Sequence, residues 1–118
     1  MRPHQKLEAW SKGLDLVIDL YKATDRFPKE ERFELTSQLN RAALSIPLNI
    51  VEGCGRLTDK DFAHFLDTAL GSINEVGYCC FAAQELNYIS LDTYHRIHKM
   101  INEVRAMIIS FLKFLRKE

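Results

Sequence analysis

Residues 94–115 read YHRIHKMINEVRAMIISFLKFL, and within them Tyr94, Ile97, Ile101, Val104, Ile108, Phe111 and Leu115 recur at spacings of three and four. An alternation averaging 3.5 residues is the a/d seam along which helices pack into a left-handed bundle. Met100, Met107 and Leu112 flank the seam and make it wider than a two-stranded coiled coil needs. Ser90 stands just ahead, where a hydroxyl accepts from first-turn amides. About 26 residues at ~1.5 Å each give a rod of about 40 Å.

The same period runs upstream. Phe62, Leu66, Ala69, Ile73, Val76, Cys80 and Ala83 are spaced four and three in alternation behind a capping Thr58, with Asp59 and Asp61 in the first turn. Gly71 and Gly77 lie inside this segment at ~1 kcal/mol each in helix propensity, and small residues there leave room for another helix to approach. Asn87 ends it. Residues 29–52 carry Leu35, Leu39, Ala42, Ile46 and Ile50, with Pro28 suited to the first helical position. Pro47 removes a backbone bond at ~3 kcal/mol, yet the apolar period resumes at Ile50 and Val51, so a kink is expected and not a break. Gly53 and Gly55 suit left-handed caps after it. In residues 7–23 the expected seam is Leu7, Trp10, Leu14, Val17 and Tyr21. Three short connections make successive helices antiparallel neighbours. The expectation is an all-α, antiparallel, up-down-up-down, left-handed four-helix bundle, with residues 1–118 as a single domain.

Composition agrees. The 118 residues are 47% hydrophobic and 27% charged, with 3 Pro and 5 Gly. That suffices for one core and is not a disordered composition. No apolar run approaches the ~20 residues of a membrane span, and the start of the chain is polar where a signal peptide is apolar, so the expected compartment is the cytoplasm. Cys54 and the adjacent Cys79 and Cys80 read as reduced thiols packed as small apolar groups. No Cys-x-x-Cys exists, so no metal or cofactor is expected. The 16 basic and 16 acidic residues cancel, which argues against a simple polyanion binder. They are unevenly placed: residues 58–88 hold one Lys/Arg and five acids, residues 89–118 six bases and three acids. Neighbouring helices of one chain, or charge-matched subunits, would each account for that.

One stripe is polar. Gln38, Arg41, Ser45, Asn49 and Glu52 share one face of the second helix, and the third offers Asp67 or Thr68, Ser72 and Glu75 at similar spacing. In an antiparallel hairpin turning near Arg56, Arg41 comes level with Glu75, and an ion pair is expected between them with Ser72 beside it. Such a network fixes helix register without binding anything; alternatively it lines a ligand groove with Arg41, Asn49, Glu52 and Arg56. Gly53-Cys54-Gly55-Arg56 lacks the strand and lysine of a phosphate loop. Asp61-x-x-His64 is a single half-motif, where a carboxylate-bridged metal bundle uses two Glu-x-x-His. His95 and His98 are expected on a solvated or interface face. Arg96, Lys99, Arg105, Lys113, Arg116 and Lys117 are the candidate phosphate contacts, or simply a solvated face with cations toward the helix C-terminus.

The residues from Tyr21-Lys22-Ala23-Thr24 through Phe27-Pro28-Lys29-Glu30-Glu31, Leu35-Thr36-Ser37-Gln38-Leu39-Asn40-Arg41, Ser45-Ile46-Pro47 and Glu52-Gly53-Cys54-Gly55-Arg56 to Ala69-Leu70-Gly71-Ser72 and Leu86-Asn87-Tyr88-Ile89 resemble the four-helix bundle proteins encoded in intervening sequences of bacterial 23S rRNA genes. The resemblance covers nearly the whole chain. It implies a homopentameric ring and kinship with the accessory protein of diversity-generating retroelements, which is thought to engage reverse transcriptase and RNA. The family it points to has no established catalytic activity. Its characteristic positions fall on Gln38, Arg41, Pro47, Asn49, Glu52, Gly53, Gly55, Arg56, Gly71, Ser72 and Glu75. Asn40 and Leu70 stand where the family often has arginine, and both departures remove positive charge.

These readings converge on a non-enzymatic, homo-oligomeric binding scaffold for structured RNA or a nucleic-acid-handling protein. Its candidate interface residues are Gln38, Arg41, Asn49, Glu52, Arg56, Ser72 and Glu75. A purely structural or protein-interaction module is the alternative, and a carboxylate-bundle metalloenzyme the third reading.

Overall fold

A computed structural model describes residues 3–117, with side chains described from residue 8 onward. Four helices follow in order: α1 (Pro3–Thr24), α2 (Leu35–Cys54), α3 (Asp59–Glu85) and α4 (Leu91–Arg116). Each packs on its neighbours in sequence, and α4 returns to α1. Cross-helix contacts fix the directions. Thr24 bonds Asn40 while Gly13 lies against Ile46 and Pro47, so α1 and α2 run antiparallel. Ser45 meets Ser72 and Gly53 meets Phe62, so α2 and α3 do too. Asn74 bonds Arg105 and Asp67 pairs with Arg116, which sets α3 against α4. The result is an all-α, antiparallel, up-down-up-down four-helix bundle, 43 Å long with lateral extents of 25 and 20 Å.

The helix ends follow local chemistry. Thr58 Oγ1 accepts from the Asp61 amide and Ser90 Oγ from the Thr93 amide, each at 3.1 Å. Asn87 (φ 63°) terminates α3 in the left-handed region. There the Tyr88 amide donates to the Ala83 carbonyl and the Asn87 amide to that of Gln84, the two bonds of a Schellman turn. Tyr88 then closes that end of the bundle: its hydroxyl donates to Glu31 Oε2 at 2.7 Å and its ring packs on Phe27 at 5.4 Å. That bond to Glu31, more than partial desolvation, raises the Tyr88 pKa.

In α3 and α4 the expected seams are the core. Leu66, Ala69, Ile73 and Val76 are fully buried, as are Ile97 and Ile108. Only Tyr94 of the α4 seam stays partly exposed. In α1 the core face is rotated from expectation. Ala9, Gly13, Leu16, Val17 and Leu20 are buried, whereas Trp10 and Tyr21 are exposed and Leu14 is half-buried; the side chain of Leu7 lies outside the described residues. The reason is closeness: α1 meets Ile46 and Pro47 of α2 through Gly13, where a large aromatic would hold the helices apart.

Two details of α2 also differ. Residues 29–34 do not extend it; Lys29–Glu31 forms a 3-10 turn after Pro28, and α2 begins at Leu35. Gly53 and Gly55 are not left-handed caps, since Gly53 is helical and Gly55 has φ −84°. Gly53 is needed instead for the close approach of Phe62. Pro47 is accommodated within one continuous helix, buried against α1.

A candidate binding groove between the second and third helices

Ser45 and Ser72 place their hydroxyl oxygens 2.8 Å apart across the α2–α3 interface. Asn49, one turn along, donates to both the carbonyl and the hydroxyl of Ser45, at 2.7 and 2.9 Å. Toward the other end Gln38 Nε2 donates to Glu75 Oε2 at 3.3 Å. The Ser45–Ser72 and Gln38–Glu75 bonds lie on the floor of an open groove of about 460 Å³, lined by Gln38, Arg41, Ser45, Ser72 and Glu75, with Phe33, Glu34 and Ser37 at one end. Gln38, Arg41 and Ser45 of the expected stripe thus share one surface with Ser72 and Glu75.

Its pairing differs from expectation. Arg41 and Glu75 line the same groove but form no ion pair; Gln38, one turn earlier in α2, is the residue level with Glu75. Arg41 is exposed and makes no hydrogen bond or ion pair among the described residues. The groove thus presents one uncommitted guanidinium and carboxylates on Glu34 and Glu75. Asn49, Glu52 and Arg56 do not line it. Asn49 is folded onto Ser45, while Glu52 and Arg56 face one another at 3.7 Å and the Arg56 guanidinium lies 4.5 Å over the Phe65 ring. Phe33, 84% exposed, is a groove residue that spacing missed, because it precedes α2 and belongs to no helical period.

The candidate phosphate contacts of α4 divide. Arg96 pairs with Asp19 of α1, and Arg116 makes a two-pronged pair with Asp67 of α3. Arg105 donates to Asn102 and Asn74. Lys99, Lys113 and Lys117 are exposed, at spacings that set them on one side of the helix, and have no ion partner among the described residues. Thus the basic excess of α4 is partly compensated by acids of neighbouring helices. His95 and His98 are exposed and pack on the Tyr94 ring, each at 5.7 Å, with Phe81 at its other side. His64 stands beside Phe65, and among the described residues no group of three His, Cys, Asp or Glu is placed to hold a metal ion.

All three cysteines are unbridged. Burial, reinforced by Cys79, pushes the Cys80 thiol up to about 12, and burial with the Glu75 charge raises Cys79, so both stay protonated at neutral pH. No helix among the described residues is long and apolar enough to cross a membrane.

The bundle is similar to a crystal structure from Bacteroides thetaiotaomicron, described as a protein with unknown function from the S23 ribosomal protein family. The TM-score is 0.85 at 24% identity, over 92% of this chain and 98% of that one. No curated protein matches the chain. The family model described as 23S rRNA-intervening sequence protein matches residues 5–110, and the chain belongs to that family.

Proposed function

We propose that this protein is a non-enzymatic scaffold that self-assembles, as the homopentameric ring implied by its resemblance, and binds structured RNA or a nucleic-acid-handling protein noncovalently. The observation carrying self-assembly is the amount of apolar surface left outside the core. On the helices, Leu48, Val51 and Tyr78 are each more than half exposed. A soluble monomer rarely leaves apolar groups contiguous on its surface, and such faces mark protein contacts. In the groove the two serine hydroxyls are bonded to each other and that of Ser45 also accepts from Asn49, an arrangement suited to holding register or a ligand.

Recognition of RNA would fall to Lys99, Lys113 and Lys117, with Arg56 and Arg41 on the other side, multiplied by the number of subunits. The pairing of Arg96 and Arg116 with acids of their own chain favours the second reading, a module that binds protein alone.

Light-scattering mass with and without a structured RNA, at low and moderate salt, tests both. A mass near five times 13.7 kDa that rises with RNA only at low salt is the expected result. A pentamer indifferent to RNA moves the function to a protein partner, and a stable monomer that ignores RNA overturns the scaffold.

A further inference from the structure

Asp19, Lys22 and Arg26 follow one another at spacings of three and four, so they share a face at the end of α1 and in the turn that leaves it. Thr93 and Arg96, one turn apart near the start of α4, face them across the α1–α4 seam, which the Asp19–Arg96 pair bridges. Between the two helices, beside the connection that carries Tyr88 and Ser90, these residues line a recess of about 340 Å³. Its charge is one-sided. Lys22, Arg26 and Arg96 stand against the single carboxylate of Asp19, in a chain whose 16 bases and 16 acids cancel. The α2–α3 groove, by contrast, has one arginine and two glutamates.

The cations of the recess are largely unspent. The side chains of Lys22 and Arg26 are exposed and make no hydrogen bond or ion pair among the described residues, although they lie one turn apart, where like charges repel. Arg96 gives only Nη1 to Asp19, and a guanidinium has five N–H donors. Glu31, the acid reached through Tyr88, already accepts from the Tyr88 hydroxyl and does not line the recess. One neutral donor is also open. Ser90 Oγ donates to Thr93 Oγ1 at 3.0 Å, which leaves the Thr93 hydroxyl proton uncommitted.

From this we infer that the recess binds a phosphate monoester. An excess of two positive charges in a concave site matches a dianion, and a monoester carries about −1.5 to −2 near neutral pH. A carboxylate or a backbone phosphodiester brings only one charge. Two arginine forks suit phosphate oxygens, with Lys22 as a point charge beside them. At about 340 Å³ the recess falls in the range of small-molecule sites, roughly 300–1,000 Å³. The monoester can belong to a free nucleotide or to the 5′ end of an RNA. The site stands apart from the scaffold reading, since it requires neither assembly nor RNA as the partner, and two of its cations lie outside α4.

Calorimetric titration of the full chain tests this, with uridine 5′-monophosphate and uridine as probes. The monophosphate should bind and uridine should not. Replacing both cations at the end of α1, Lys22→Gln with Arg26→Gln, should weaken binding by about tenfold or more. Lys60→Gln, at the start of α3 and the far end of the bundle, should leave it unchanged. The replaced side chains are exposed, and retained helical circular dichroism checks the fold; either single substitution serves if the pair unfolds the chain. One hairpin RNA with a 5′-phosphate or a 5′-hydroxyl separates the two sources. Tighter binding of the phosphorylated form, lost in the double variant, assigns the monoester to an RNA end, and equal binding of the two assigns it to a small molecule. A monophosphate that binds no better than uridine, or that binds the double variant as it binds the parent, overturns the site and leaves the scaffold reading untouched.

Discussion

Gly53 of α2 lies flat against Phe62 of α3, so that a Cβ added to the glycine would stand 2.6 Å from Phe62 Cδ1 and 3.1 Å from Phe65 Cβ. Phe62 is buried, and its ring has little freedom to withdraw. Gly53→Ala should therefore cost about 1–3 kcal/mol, the range for overpacking a filled core, despite the better helix propensity of alanine. Gly13 is the internal comparison. It is also helical and buried, but its Cβ would meet Ile46 and Pro47 at 3.7 Å, ordinary contact. Gly13→Ala should stabilise by up to about 1 kcal/mol. Urea midpoints of the two variants check the pair; equal effects would mean that helix propensity outweighs the contact at Phe62.

The buried thiols set an alkaline limit on stability. Cys80 titrates at about 12 in the folded chain against 9.0 as a free side chain, so both states hold the proton below pH 9. Above that the unfolded state loses it first, and stability must fall as pH rises from about 9 toward 12. One proton gives a slope of up to about 1.4 kcal/mol per pH unit. Cys79 and Tyr88, both raised, act in the same direction. Cys80→Ala should lose stability at neutral pH through the cavity it leaves, yet show a shallower decline above pH 9. Unfolding by denaturant at pH 7 and pH 10.5 measures this, and an unchanged slope would remove Cys80 as the cause.

How far the sequence specifies these features depends on which side chains make each contact. The faces of α3 and α4 were legible because large residues such as Leu66, Ile73, Ile101 and Ile108 carry the packing and leave a single sharp stripe. In α1 apolar residues surround the helix, and Trp10 and Tyr21 outweigh Ala9 and Gly13 in any hydrophobic count although the small pair faces the core. The groove was legible as a polar stripe. Its pairing was not, because Gln38 and Arg41 are one turn apart and only the helix register selects which of them reaches Glu75.

The Ser45–Ser72 contact ties α2 to α3 at the groove floor, and a double-mutant cycle isolates it. Ser45→Ala and Ser72→Ala should each cost about 0.5–1.5 kcal/mol, with Ser45→Ala the larger because Asn49 also loses a partner. The double variant should cost less than the sum, by about 0.5 kcal/mol or more. Additive losses would show the two hydroxyls bonding water in solution instead of each other.

The pairing of Arg96 with Asp19 bears directly on nucleic-acid binding. The pair is exposed, and exposed pairs contribute only about 0–1 kcal/mol to stability, so Asp19→Asn should leave the bundle nearly as stable as before. The same change frees the guanidinium from its carboxylate and removes a negative charge beside it. If α4 carries the RNA contacts, affinity for a structured RNA at low salt should rise, and the slope of log K against log salt should steepen by about 0.7–0.9 for one added phosphate contact. Changing Lys99, Lys113 and Lys117 to Gln should flatten that slope in the opposite sense, through cations that have no acid to lose. Binding measured from 50 to 200 mM salt distinguishes the outcomes. A slope that responds to neither set of changes takes RNA recognition away from α4 and leaves the uncommitted Arg41 of the groove as the place to look.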